Sequence, residues 1–249
     1  MRILIIGGSG FSGWNLSLEL KNKHETYSSY FSHPFNIDEI KSVFIYITYK
    51  ALLKRTLDTI EPDVVVNYSG LTKVAPCEIN HCRAFDLHCR NAYNLELFSS
   101  SRNKKLTHFS TDLFYSGYGG FCNQYLFTKH VNFYAKLIRI SEHFESSISS
   151  NYMILHLALI YGWGNLNSDL FIDWMFNLHR SNKKLLLFTD QFLSMLWVKD
   201  AISVVDWINT NDIKNETINL EGPEKSAGMN LEKVALNYFI IIMTVSQKS

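Results

Sequence analysis

Short apolar runs alternate along this chain with longer segments patterned as helices, and that alternation constrains the fold more than any other feature. "RILII", "TYSSY", "VFIYI", "DVVVNYSG", "LTHFSTD" and "YMILHLALIYG" read as strands. Between them lie "GFSGWNLSLELKNK", with Phe11, Leu16, Leu18 and Leu20 at its apolar positions, and "YKALLKRTLDTIEP", halted before Pro62. A middle helix is expected from about Glu78 to Ser101 and a further one around Asn132 to Ser147. A continuous apolar run such as "DVVV" suits a strand buried on both faces. Strands linked through helices run parallel, because a parallel neighbour needs a crossover connection, and right-handed crossovers cover both faces of the sheet. The expected fold class is α/β, a Rossmann-like doubly wound parallel sheet.

Composition narrows the function. The 249 residues are 47% hydrophobic and 19% charged, enough for one well-buried domain with a small appended lobe. Net charge is +1 with no long basic run, which argues against a nucleic-acid or membrane partner. Apolar runs are too short to span a bilayer or to form a signal-peptide core, so a cytoplasmic protein is expected. Cys77, Cys82, Cys89 and Cys122 have no CxxC spacing and suit a reducing compartment. The pairs His81-Cys82 and His88-Cys89 recur at a helical interval of about 10 Å, too far apart to share one ion easily, and no metal is assigned.

Directly after the first strand, "IIGGSGFSGW" places Gly7, Gly10 and Gly13 in GxxGxxG spacing at the start of a helix. A dinucleotide phosphate needs this: glycines let backbone N–H groups come close, and the helix N-terminus stabilises negative charge. Gly7, Gly10, Phe11, Ser12 and Gly13 are therefore the candidate phosphate-binding residues. The competing reading is a tight structural turn. At the end of the second strand, "TYSSYFSHPFN" carries no carboxylate between Glu25 and Asp38. This leans to NADP, with Ser32 or His33 near the 2′-phosphate and NAD as the alternative.

Taken in order, these segments resemble the dTDP-4-dehydrorhamnose reductase family of extended short-chain dehydrogenases/reductases. "GGSGFSG" resembles its glycine loop, and "PDVVVNYSGLTKVAPCE" its strand ending beside the nicotinamide ribose, with Ser69 and Gly70 at that end. "HFSTDLFYSG" is similar to its Ser-Thr-Asp-Tyr-Val-Phe-x-Gly stretch, while "LIYGWG", "TDQFLSMLWVKDA" and "INLEGPEK" resemble segments shaping a sugar-nucleotide pocket.

The resemblance implies a tyrosine proton donor, a threonine that orients the carbonyl, and a lysine one helical turn after the tyrosine. A free tyrosine has a pKa near 10, so a nearby cation helps it act near neutrality. Carried over, Thr111 is the threonine, Asp112 the following acid and Tyr134 the tyrosine, but the lysine position holds Ile138. Lys136 lies two residues round the helix, on nearly the opposite face. Further departures are His88 for an asparagine, Tyr46 for an aspartate near the adenine, Ala75 for a polar residue, and Met195-Leu196 for Pro-Thr. Each retained residue has a plain structural alternative: a helix tyrosine, a turn-capping Thr-Asp pair, an interface isoleucine.

The resemblance further implies a cofactor-binding domain over 1–162 that also uses about 190–220. A small, truncated substrate lobe is drawn from 163–189 and 221–249, placed over the carboxyl ends of the strands. Three functions compete: a reductase acting on the 4-keto group of a nucleotide sugar, a cofactor-binding regulatory subunit with impaired catalysis, and a form whose nucleotide pocket is also lost. A homodimer or a regulatory partner protein accompanies these readings.

Overall fold

The computed structural model describes residues 1–115, 132–164, 175, 177–178, 180–181, 183–184, 192–223 and 226–227. In chain order the elements are β1 (Arg2–Ile6), α1 (Phe11–Leu20), β2 (Glu25–Tyr30), β3 (Lys41–Phe44), α2 (Lys50–Ile60) and β4 (Val64–Asn67). Next come α3 (Val74–Ile79), α4 (His81–Phe85), a single π-helical turn (Asp86–Arg90), α5 (Asn91–Ser101), β5 (Lys105–Thr111), α6 (Phe133–Ile148) and β6 (Tyr152–Leu157). The short strands β7 (Ile160–Tyr161), β8 (Phe192–Leu193) and β9 (Leu196–Trp197), the helix α7 (Val198–Thr210), and the strands β10 (Glu216–Leu220) and β11 (Ser226–Ala227) follow.

Seven strands form one sheet in the order β3-β2-β1-β4-β5-β6-β10, every neighbouring pair parallel. The doubly wound α/β expectation therefore holds. Side chains alternate across the pleat. Ile3, Ile5, Val64 and Val66 pack with α1 and α7 on one face; Leu4, Ile6, Val65 and Leu106 pack with α2 and α5 on the other. Chain order reverses beside β1, which runs to β2 on one side and borders β4 on the other, so the carboxyl ends of β1, β2 and β4 define the crevice where such sheets bind ligands.

Several local expectations need correction. Leu18 is 41% exposed, because α1 buries Gly13, Leu16, Ser17 and Leu20 against the sheet. The third strand stops at Phe44, and "YMILHLALIYG" divides into β6 and β7 because the backbone leaves β6 to pair with β9. The middle helix is broken at Asn80, whose backbone is non-helical (φ −132°, ψ 84°) and whose side chain caps α4 by accepting from the Arg83 N–H at 3.0 Å. Most of the expected substrate lobe, residues 163–189 and 221–249, lies outside the described residues, as does Cys122. Among the described residues, no helix is long and apolar enough to cross a membrane.

A buried polar layer joins α6 to the sheet. Ser110 donates to Glu142, and His156 Nε2 lies 3.0 Å from Glu142 Oε1. His108 Nδ1 lies 3.0 Å from Glu145 Oε1. Glu96 of α5 is fully buried near Glu145; burial, then the charge of Glu145, pushes its carboxyl up to about 8. An acid whose folded-state pKa is raised contributes stability below its unfolded pKa and loses it as pH rises through the folded value. Stability is therefore expected to fall between about pH 4.5 and 8, by on the order of 4 kcal/mol from this group. Glu96→Gln should flatten that slope in urea melts at pH 5 and pH 8.5. Equal slopes in the two proteins would assign the pH dependence elsewhere.

Candidate active site

The glycine loop joins β1 to α1. Gly7 has φ 84°, a left-handed conformation that glycine adopts without steric cost. The loop is held from β2: Gly7 N–H donates to Ser29 Oγ at 3.0 Å, and Ser9 N–H to the Ser29 carbonyl at 3.2 Å. Gly10 is the N-cap of α1, makes no side-chain cap, and is followed by a first turn without acidic residues. The first-turn N–H groups of Phe11, Ser12 and Gly13 have no intrahelical acceptor by the geometry of any helix start, and they carry the positive end of the dipole. This arrangement is suited to an anion.

Two of the three motif glycines differ in what they do. A Cβ on Gly13 would stand 2.4 Å from the Gly7 carbonyl oxygen and 2.8 Å from Gly8 Cα, so this glycine lets α1 pack on the loop. A Cβ on Gly10 meets only the Gly7 oxygen, at 3.3 Å. Gly10 therefore leaves space that the fold itself does not use.

At the carboxyl end of β4, Asn67 Oδ1 accepts from both the N–H and the hydroxyl of Ser69, and Asn91 Nδ2 donates to Ser69 Oγ at 2.7 Å. The His88 ring lies against Gly70, and its Nε2 accepts from the Leu71 N–H at 3.2 Å. The π-helical turn lets His88 and Asn91 reach this loop together; such turns occur often at functional sites. Burial above all holds the His88 imidazole down to about 4, so it is neutral near pH 7 and its proton sits on Nδ1 while Nε2 accepts. Ser32, at the end of β2, is exposed and hydrogen-bonds His33 Nδ1 at 2.9 Å.

Tyr134 sits in the first turn of α6. Asn132 caps that turn through Ala135 N–H at 2.7 Å, and Glu78 of α3 accepts from Phe133 N–H at 2.6 Å. The Tyr134 hydroxyl lies beside the Thr111 side chain, and its ring meets His88 edge to face at 5.5 Å. Thr111 also caps the turn after β5, accepting from Leu113 N–H at 3.2 Å, so the structural alternative for this residue operates alongside the pairing. Burial pushes Tyr134 up to about 12, opposed by the neighbouring Thr111 side chain; Cys77 and Asp112 push it further up, and none of these groups is a cation. Lys136 is exposed on the other side of α6, whereas Ile138 is 3% exposed and packs with Cys77, Ala84 and Cys89. Asp112 is half-buried, and burial followed by the charge of Glu221 raises its carboxyl to about 6.

The structure thus brings Thr111 and Tyr134 together with His88, and places the glycine loop, Ser32 and the Ser69–Gly70 turn along the carboxyl ends of neighbouring strands. Trp163 belongs to the same end, its carbonyl accepting from Asn15 Nδ2 of α1 at 2.8 Å. Sequence reading missed Glu142, whose bonds to Ser110 and His156 fix the rotation of α6 and so the direction of Tyr134. Its signal was present: positions 134, 138, 142 and 145 share one helix face, where glutamates among apolar residues need buried partners.

Fold and site together define a Rossmann-type α/β protein with an anion-accepting glycine loop and a buried Thr–Tyr pair at the same end of the sheet. Residues 1–221 match the RmlD substrate binding domain family, and the chain belongs to that family. It is 25% identical over 207 residues to the spore coat polysaccharide biosynthesis protein SpsK of Bacillus subtilis (strain 168), covering 82% of this chain and 68% of SpsK. It is 25% identical over 223 residues to a dTDP-4-dehydrorhamnose reductase of Aggregatibacter actinomycetemcomitans, covering 87% of this chain and 70% of the relative. Among solved structures, the dTDP-4-dehydrorhamnose reductase of Bacillus anthracis str. Ames in complex with NADP superposes with a TM-score of 0.81 at 20% identity, covering 95% of this chain and 80% of that one.

Proposed function

We propose that this protein binds NADPH, or NADH, and reduces the 4-keto group of a nucleotide sugar, at a rate limited by a proton donor whose lysine position holds Ile138. The observation that carries the reading is the Thr111–Tyr134 pair at the sheet end that also holds the glycine loop. Family membership and the NADP complex of the Bacillus anthracis structure support it. Gly7, Gly10, Phe11, Ser12 and Gly13 would hold the pyrophosphate; Ser32 with His33 would meet the 2′-phosphate; Ser69 and Gly70 would floor the nicotinamide ribose. The reduced nicotinamide supplies the hydride when bound. Thr111 orients the substrate carbonyl, Tyr134 gives its proton to the oxygen as negative charge develops there, and Asp112 lies beside the pair at the substrate mouth.

A second reading, a cofactor-binding regulatory subunit without appreciable turnover, is favoured by one observation: Ile138 fills the lysine position with apolar packing. Two measurements separate the readings. Quenching or shift of NADPH fluorescence on addition of protein is expected under both. Single-turnover oxidation of bound NADPH by a 4-keto nucleotide sugar is expected only under the first. A protein that leaves NADPH fluorescence unchanged and shows no heat on titration would sink both.

A further inference from the structure

The buried polar layer continues past His156. While Nε2 of that ring lies 3.0 Å from Glu142, Nδ1 lies 2.8 Å from the Tyr115 hydroxyl, which also donates to Asn219 Oδ1 at 2.9 Å. Burial pushes the Glu142 carboxyl up, but His156, Ser110 and Arg139 outweigh it and hold the group below the ordinary carboxylate range. A carboxylate only accepts, so the imidazole turns a protonated Nε2 toward Glu142 and keeps Nδ1 for Tyr115. Ser110, His156 and Asn219 stand in one row across β5, β6 and β10. The Tyr115 hydroxyl therefore rests where three strands meet, close to their carboxyl ends.

Tyr115 also closes the turn that carries the candidate site. Its N–H donates to the Asp112 carbonyl at 3.1 Å, and the Asp112 N–H donates to the Leu157 carbonyl at 3.2 Å, beside the end of β6. Thr111 begins the turn, accepting from the Leu113 N–H. A closed circuit results. It passes from Thr111 through the turn to Tyr115, across to His156 and Glu142, back along α6 to Tyr134, and so to Thr111 again. Tyr134 and Glu142 lie about two turns apart on the helix, on one face, so the helix acts as a rigid side of this circuit.

This hydroxyl is a departure from the stretch the chain resembles. Residues 110–117 are similar to Ser-Thr-Asp-Tyr-Val-Phe-x-Gly, whose sixth position is phenylalanine; here that position is Tyr115. The aromatic ring is kept and one polar atom is added. A polar atom inside a fold is costly unless it is partnered, and this one meets His156 and Asn219. Resting on the reductase reading given above, we propose that Tyr115 is a positioning residue: by joining the Thr111 turn to His156, it sets the separation of Thr111 from Tyr134 and so the alignment of the substrate carbonyl. Tyr115 acts through these groups and transfers no proton to the substrate.

The test compares wild type, Tyr115→Phe, His156→Gln and the double variant as full chains. Tyr115→Phe restores the residue type of the resembled stretch and keeps the ring contacts with Phe114 and His156, so the fold tolerates it, which thermal melts check. His156→Gln keeps an N–H donor for Glu142 but has no atom in the place of Nδ1. Single-turnover oxidation of bound NADPH by a dTDP-linked 4-keto hexose should slow by roughly 10- to 100-fold in Tyr115→Phe, the range that a small misplacement of reacting groups produces. NADPH affinity should stay at the wild-type value, because the glycine loop and the Ser69–Gly70 turn lie outside the circuit. The double variant should be no slower than the slower single one, since both substitutions remove the same link. A wild-type rate in Tyr115→Phe would overturn the proposal. So would a parallel loss of NADPH affinity, which marks a general structural role, or slowdowns that multiply in the double variant. A wild type that binds NADPH and never oxidises it would overturn the reductase reading itself, and the proposal with it.

Discussion

Ile138→Lys is expected to accelerate reduction of a 4-keto nucleotide sugar by roughly 100-fold, and Tyr134→Phe in that background to remove the gain. Tyr134 is held up at about 12, chiefly by burial, with no cation among the described residues acting on it. An ammonium one helical turn away, on the same face, favours the tyrosinate and commonly lowers a neighbouring pKa by about one to three units. General acid catalysis contributes about 10²–10⁴-fold, which bounds what its improvement restores. The substitution carries a stability cost, because Ile138 is 3% exposed among Cys77, Ala84 and Cys89, where an unpaired charge is costly. Ile138→Met, close in volume, separates the two effects: it should leave both melting temperature and rate near the wild type. Single-turnover rates and thermal melts on these variants, the wild type and Tyr134→Phe alone decide the matter. Robust wild-type turnover that Tyr134→Phe leaves intact would show that the proton comes from another group.

Gly10→Val is expected to abolish dinucleotide binding while leaving the fold intact, and Gly13→Val to unfold the protein. The contrast follows from the two surroundings. A side chain at Gly10 meets only the Gly7 oxygen at 3.3 Å on the protein side, so its branches project into the space a pyrophosphate would take. One at Gly13 collides with the Gly7 oxygen at 2.4 Å and with Gly8 Cα at 2.8 Å, both backbone atoms that cannot turn aside. Calorimetric titration with NADPH and circular dichroism melts read the two outcomes separately. Equal NADPH affinity in wild type and a folded Gly10→Val protein would falsify the phosphate assignment.

The strand–helix alternation and the placement of a glycine trio after β1 sufficed to read the parallel doubly wound sheet from sequence, because a parallel neighbour requires a crossover and a helix start binds anions through its own backbone. The phase of α6 was equally legible: Lys136 and Ile138 differ by two positions, so one had to face solvent when the other packed inward. Other features depended on atoms distant in sequence. Asn80 breaks the middle helix because its side chain found the Arg83 N–H, and His88 turned inward because a π-helical turn carried it to Gly70 and Leu71. The aromatics at the ends of β2 and β3 look like scattered residues in the sequence until the two strands pair in register and set Phe31 against Phe44 and Tyr46. Periodicity reports which face a residue occupies within its own element. Only the packing of elements decides which buried glutamate meets which histidine, and whether a tyrosine in a helix finds a threonine at the end of a strand.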